Sequence, residues 1–304
     1  MRILVTGGAG FIGSHIVEAY LAAGHDVHVI DSLVTGRREN VPAGAVLHEV
    51  DIRSDDVDAV FRDFHPEVVN HLAAQASVKV STSQPLLDLE VNGGGTMRMA
   101  TLAAEHGVRK FIYSSTGGAL YGDPDFVPVP ETHPIRPLSP YGQSKRVGEL
   151  YLELVARTKG LRYTILRYAN AYGPRQDPHG EAGVCAIFTG LMLAGQPCTI
   201  DGDGEQLKDY VYVGDIARAN LLALEKGTGH AINIGTGKGT SVNAIFAALQ
   251  QATGTTTPAQ YGPPRPGDVR NIWLDSSLAL QELNWQHEVE FEEGIARTVA
   301  AVRG

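Results

Sequence analysis

Arg2-Ile3-Leu4-Val5-Thr6-Gly7-Gly8-Ala9-Gly10-Phe11-Ile12-Gly13 is the stretch that decides the fold. Its opening run, residues 3–6, is aliphatic and β-branched and reads as a strand, while residues 11–23 carry a helical pattern. Between them, Gly8, Gly10 and Gly13 fit G-x-G-x-x-G, and Gly7, Gly10 and Gly13 fit G-x-x-G-x-x-G. Glycines at these intervals let the backbone turn tightly and approach a pyrophosphate, whose charge a helix N-terminus stabilises. Glycine turns are common, so the motif gains its meaning from lying after a strand and before a helix.

Outward from this loop the alternation continues. Residues 27–30, 46–50, 68–71, 110–114 and 163–167 read as strands; residues 56–64, 86–105 and 141–157 read as helices. Strands alternating with helices imply parallel pairing through crossover helices. The expected fold class is therefore α/β, a doubly wound parallel sheet of the Rossmann type, with ligands at the carboxyl ends of its strands. Beyond Tyr168 the alternation gives way to loops such as Gly173-Pro174, Asp201-Gly202-Asp203-Gly204 and Gly262-Pro263-Pro264. A smaller C-terminal substrate-binding lobe is placed there. Residues 1–168 with about 210–235 form the nucleotide domain in this reading, and 169–209 with 236–304 form the lobe.

Asp31 ends the second strand, eighteen residues after Gly13. A carboxylate there accepts ribose hydroxyls and repels a 2′-phosphate, which favours NAD over NADP. Arg37 and Arg38 follow closely, and an arginine nearby can accommodate that phosphate.

Tyr141 and Lys145 stand four apart on a predicted helix, so both face one way. An ammonium beside a phenol is expected to lower its pKa and make phenolate available near neutrality. That suits a reaction in which a hydroxyl proton moves while hydride goes to a nicotinamide. Such a pair arises easily by chance. Its context here is Ser114-Ser115-Thr116, at the carboxyl end of the fifth strand, where a hydroxyl can reach the same reacting oxygen.

Composition sets the outer bounds. The chain has 304 residues, 43% hydrophobic and 19% charged, enough for one large domain and a second lobe. A net charge of -9 argues against general binding to nucleic acid or an anionic membrane. Only Cys185 and Cys198 are present, and they read as reduced structural thiols. No apolar run approaches the ~18 residues needed to span a bilayer, and residues 1–5 run straight into a strand. A soluble, cytoplasmic protein is expected. The histidines are scattered: His25 and His28, the closest pair, lack metal-ligand spacing, so no metal is expected. His71 reads as a core residue.

Taken together, Thr6–Gly13, Asp31, Asp51-Ile52, His71-Leu72-Ala73-Ala74-Gln75, Asn92, residues 114–122, Tyr141–Lys145, 167–175, 202–215 and 265–268 resemble the extended short-chain dehydrogenase/reductases. Within that family the chain is similar to bacterial UDP-glucose 4-epimerases, over essentially its whole length. The resemblance implies bound NAD, held by Gly7, Gly10, Phe11, Ile12, Gly13, Asp31, Asp51, Ile52, Ala73, Ala74, Asn92, Ser114, Tyr141, Lys145 and Tyr168. It implies Tyr141 as the acid–base, Thr116 as the partner of the sugar hydroxyl, and Lys145 on the nicotinamide ribose. Asn170, Lys208, Arg265, Asp268 and Ile272 would contact the UDP-sugar. Relatives carry arginine where Lys208 stands, and a residue at Ile272 gates the sugar's 2-substituent. A homodimer through a four-helix bundle, built from the Asn92 and Tyr141 helices, is also implied.

The implied reaction is 4-epimerisation of UDP-glucose and UDP-galactose, with UDP-N-acetylglucosamine or UDP-glucuronate as alternative substrates. Sugar 4,6-dehydratases place an Asp-Glu pair after the threonine, and sugar-nucleotide decarboxylases a nearby Glu; Gly117-Gly118 stands here instead. A non-catalytic NAD-responsive binding protein is the reading from another class, since fold alone does not establish activity.

Overall fold

The computed structural model describes residues 1–178, 183–264 and 269–303. Strands β1 (Arg2–Thr6), β2 (Asp26–Asp31), β3 (Val46–Glu49), β4 (Val68–His71), β5 (Lys110–Thr116) and β6 (Tyr163–Tyr168) build the first half of the chain. Between them run helices α1 (Phe11–Ala22), α2 (Val57–Phe64), α3 (Val78–Ser83), α4 (Pro85–Leu89), α5 (Gly95–Glu105), α6 (Gly117–Leu120) and α7 (Pro140–Lys159). Short elements follow: β7 (Asn170–Tyr172), α8 (Val184–Leu193), β8 (Thr199–Asp201), β9 (Leu207–Lys208) and β10 (Tyr210–Tyr212). The chain then enters α9 (Val213–Ala223) and β11 (Ala231–Ile234). Last come β12 (Thr240–Ser241), α10 (Val242–Thr253), β13 (Gln260–Gly262), β14 (Asn271–Ile272), α11 (Ser277–Leu283) and α12 (Phe291–Arg303).

The central sheet has seven strands in the order β11-β6-β5-β4-β1-β2-β3, and every pair in it is parallel. Its direction of winding reverses between β1 and β4. A crevice therefore opens beyond the carboxyl ends of those two strands, where Gly7 and Ala73 emerge. Because side chains alternate across a strand, β1 sends Ile3 and Val5 to one face and Leu4 to the other. The first face packs on Ile16, Val17 and Tyr20 of α1 and on Ala219 of α9. The second packs on Phe61 of α2, Met99 of α5 and Leu152 of α7. A third core joins Phe188 of α8, Phe246 of α10 and Ile295 of α12 under Tyr172, Tyr210 and Tyr212.

The helix expected over residues 86–105 runs without a gap, but it is not α-helical throughout. α4 passes into a π-helical turn, Glu90–Gly94, before α5 begins. Gly93 and Gly94 follow Asn92 in this turn and Gly95 opens α5; Gly93 lies against Val147 of α7, and Gly95 against Ile52. A π turn inserts one residue and shifts the face that follows by about 100°, and glycines at 93–95, which carry no side chain, leave that shift out of the apolar pattern.

Candidate active site

The glycine loop is a cradle that side chains would fill. Gly7 has φ of +73°, and a Cβ on it would lie 2.8 Å from the Ala73 nitrogen. A Cβ on Gly13 would collide with the Gly7 carbonyl oxygen. Thr6 ties the two strand ends together, its hydroxyl and its carbonyl oxygen each accepting from Ala73 N–H at 3.1 Å. Phe11 and Ile12 open α1 and pack against the third core, so the lobe sits directly over the loop. A loop of backbone cleared of Cβ atoms, at a helix N-terminus in a switch-point crevice, fits the pyrophosphate of a dinucleotide.

Asp31 stands at the end of β2, 8% exposed, and accepts from Ala9 N–H at 3.0 Å and Leu33 N–H at 2.9 Å. Burial raises its pKa while these two bonds oppose the rise. Arg37 pairs with Asp177 at 2.8 Å, and Arg38 pairs with Glu49. Both arginines thus have carboxylate partners, a setting that favours a ribose at Asp31 over a 2′-phosphate. Ile52 is buried beneath Gly95, and the Asp51 carboxylate is gripped by Arg53 at 2.7 Å, which holds its pKa below the ordinary range. Ala74 lies between Ala73 and Gln75 at the crevice edge.

The Tyr141–Lys145 pair is set by the start of α7. Ser139 caps that helix by accepting from Gly142 N–H at 3.1 Å, and Pro140 occupies its first turn. Tyr141 follows at once and Lys145 lies one turn further. Lys145 is 3% exposed, with Nζ 4.4 Å from the centroid of the Tyr113 ring. The expected lowering of the phenol's pKa is absent from the protein on its own. Burial, followed by the charge of Asp88, pushes Tyr141 up to about 12, and burial draws Lys145 down to about 8. Desolvation disfavours the charged form of each group and is the largest influence on both.

Thr116 ends β5 and caps α6, its Oγ1 accepting from Ala119 N–H at 3.2 Å. As an acceptor there, it keeps its hydroxyl proton for donation. Ser114 Oγ and Tyr168 OH lie 2.9 Å apart, and Asn220 Nδ2 donates to that phenol at 2.8 Å. Beside this strand end lies a cavity of about 300 Å³, lined by Thr82, Gly118, Asn170, Lys208 and Ile272 among others. Asn170 Nδ2 donates to the Asp209 carbonyl at 2.9 Å, and Ile272 pairs with Lys208 in the β9–β14 ladder. The fold thus brings Asn170, Lys208 and Ile272 to one wall. Arg265 and Asp268 lie outside the described residues.

The sequence reading had Asn92 holding NAD, but it missed Ser144 and Glu149, the buried polar residues behind this pair. Asn92 Nδ2 donates to the Gln75 carbonyl at 2.9 Å and Ser144 Oγ at 3.0 Å, and Ser144 Oγ donates to the Tyr141 carbonyl at 3.0 Å. Glu149 takes both Arg167 Nε at 2.9 Å and Nη2 at 2.8 Å, and accepts from Ser115 at 2.7 Å. Its position four residues after Lys145 was the available signal. His71 is fully buried, 2.7 Å from Thr6 Oγ1 and 3.0 Å from Thr96 Oγ1, and burial lowers its pKa to about 3. Among the described residues no cluster of His, Cys, Asp and Glu could hold a metal ion.

Comparison with known proteins follows this geometry. Residues 3–235 match the NAD dependent epimerase/dehydratase family. A putative UDP-glucose 4-epimerase of Methanocaldococcus jannaschii is 47% identical over 98% of this chain and 97% of its own. The crystal structure of a UDP-glucose 4-epimerase with UDP-glucose from Thermotoga maritima superposes with a TM-score of 0.98 at 50% identity, covering 100% of this chain and 99% of that one. A Thermus thermophilus UDP-glucose 4-epimerase in complex with NAD gives 0.95 at 48% identity, with coverage of 100% and 99%. The chain belongs to the NAD dependent epimerase/dehydratase family.

Proposed function

We propose that this protein is an NAD-dependent UDP-sugar 4-epimerase, interconverting UDP-glucose and UDP-galactose through a transient 4-keto sugar. The observation that carries this reading is the lining of the cavity: with Asn170, Lys208 and Ile272 stand Gly118 and Ala119, which follow Thr116, and Ser139, which caps the helix that carries Tyr141 and Lys145. Tyr141 takes the proton of the sugar's C4 hydroxyl and later returns it, while Thr116 donates a hydrogen bond to the same oxygen. NAD, when bound, supplies an oxidised nicotinamide that exchanges hydride with C4 and a positive charge that favours phenolate. Lys145 holds the nicotinamide ribose and keeps an ammonium beside Tyr141. Asn170 and Lys208 bind the diphosphate. The 4-keto sugar turns over within the cavity before hydride returns to its other face.

Gly117 and Gly118 support epimerisation over dehydration, because neither supplies a carboxyl group after Thr116, and a Cβ at Gly117 would also press on the Leu274 side chain. Purified protein, without added cofactor, should convert UDP-galactose to UDP-glucose. Retained NAD with no turnover on any UDP-sugar would favour the non-catalytic NAD-binding reading.

For the two-lobe division, residues 1–168 with about 210–235 and 169–209 with 236–304, support comes from the third core's centre in α8, α10 and α12, although Tyr210, Tyr212 and Val213 join that core and Ile272, Leu274 and Trp285 pack into the first. A homodimer is supported by an apolar surface: Leu86 is 74% exposed on α4, and Leu150 and Leu154 are 47% and 42% exposed on α7. The last two lie four apart, so they form one stripe of the kind a helical bundle buries. Two free, buried cysteines suit a cytosolic home. No described helix is long and apolar enough to cross a membrane.

A further inference from the structure

Asp88 is an anomaly next to the acid–base pair. It is fully buried on α4, one turn before Asn92. Its Oδ1 accepts from Gln75 Nε2 at 2.7 Å and from Asn92 Nδ2 at 3.2 Å. Its Oδ2 is buried with no hydrogen-bond partner among the described residues. A buried carboxylate with one oxygen unsatisfied costs stability and persists where something offsets it. The cation close enough to act on it is Lys145, whose ammonium Asp88 favours.

The groups around it come from several elements. α7 presents Tyr141, Ser144 and Lys145, with Glu149 one turn beyond and itself held by Arg167 of β6. β5 presents Tyr113 beneath Lys145, and β4 presents His71 stacked on Tyr113 with centroids 5.8 Å apart. Asn92 binds Asp88 and Ser144 at once, and Ser144 binds the Tyr141 carbonyl, so the carboxylate is mechanically linked to the first turn of α7.

We propose that Asp88 is a positioning residue for the reaction: a fixed internal negative charge that aligns the first turn of α7 through Asn92 and Ser144, and opposes negative charge on the Tyr141 oxygen. This rests on Tyr141 being the acid–base. The same phenol must accept a proton in one half of the cycle and give it back in the other. Asp88 keeps it from resting as phenolate once Lys145 and the cofactor's cation are beside it. Its charge raises the proton affinity of Tyr141 and of Lys145 together.

The test uses NAD-loaded Asp88→Asn and Asp88→Ser, each with and without Tyr141→Phe. Subtracting the paired ultraviolet phenolate titrations isolates Tyr141 from the other tyrosines. Removing the charge should lower that titration by roughly one pH unit or more, the scale of a neighbouring buried charge. The acid limb of kcat against pH should move down with it, and Asp88→Glu should restore both. A folded uncharged variant with an unmoved titration or limb overturns the proposal. So does loss of the fold in both uncharged variants, which would make Asp88 a packing element. If Tyr141→Phe alone turns over like the wild type, the acid–base reading fails; an unmoved limb beside an inactive Tyr141→Phe removes Asp88 only.

Discussion

Ile272 stands directly opposite Lys208 in the parallel ladder of β9 and β14, and both line the cavity beside Asn170. Ile272 is 3% exposed and belongs to the same core as Leu274, so it is at once cavity wall and packing residue. The ladder couples the residue proposed to hold the diphosphate to the one proposed to bound the sugar.

That placement predicts dual activity, on UDP-glucose and UDP-galactose and on their N-acetyl counterparts. Pocket differences of a few methylene-sized groups are worth ~1–3 kcal/mol, so the two kcat/KM values should lie within about 200-fold. Ile272→Tyr should suppress the N-acetyl substrate selectively, with an overpacking cost of ~1–3 kcal/mol in stability. Kinetics on both substrates decide it; equal loss on each would remove the gate.

Lys208 presents one point charge where an arginine would offer a planar, bidentate contact. Lys208→Arg should therefore tighten UDP binding by a few-fold, a modest gain from added geometry. Lys208→Ala should weaken it by ~1–2 kcal/mol, the scale of a charge-assisted hydrogen bond. Calorimetric titration with UDP gives both values, and unchanged binding in the alanine variant would contradict the assignment.

Tyr141→Phe should lower kcat by at least ~10²–10⁴, the usual worth of a general base, with NAD content unchanged. In the wild type, Lys145 sits at about 8, so its ammonium is present below that value and lost above it. Turnover should accordingly decline as pH rises through that region. A profile flat across it would show that the ammonium is not required.

The Glu149–Arg167 pair is buried at both ends, with side chains 0% and 4% exposed. Burial works against the Glu149 charge, but the bonds and charge of Arg167 outweigh it and hold the carboxyl below its ordinary range. A depressed carboxyl stabilises the fold above its unfolded pKa of about 4.3, and that contribution is lost as pH falls through the folded value. Glu149→Gln leaves Arg167 buried without its counter-ion and should cost ~3–5 kcal/mol. Urea unfolding measures this, and the variant should also lose part of the wild type's steepening acid sensitivity below that pH.

The nucleotide half of this protein was legible in sequence because its signals are local. A strand, a glycine turn and a helix occupy residues 2–22 without interruption, and Asp31 and the Tyr141–Lys145 spacing depend only on element period and length. What sequence by itself determined was therefore the sheet, its crevice and the placing of Tyr141 and Lys145 one turn apart on a single helix. Tertiary structure decided how that pair is tuned. Asp88 and Gln75 meet Ser144 through Asn92 because a π turn rotates the helix by one residue, and no local pattern encodes that rotation. The rise of Tyr141 to about 12 likewise depends on its surroundings, on desolvation first and then on the charge of Asp88 from another helix, where Lys145 alone led us to expect a fall. The substrate wall is of the same kind: Asn170, Lys208 and Ile272 lie on three strands of two or three residues each, too short for periodicity to detect. Local periodicity reports which backbone forms; desolvation and convergence depend on the whole fold, and they set the chemistry.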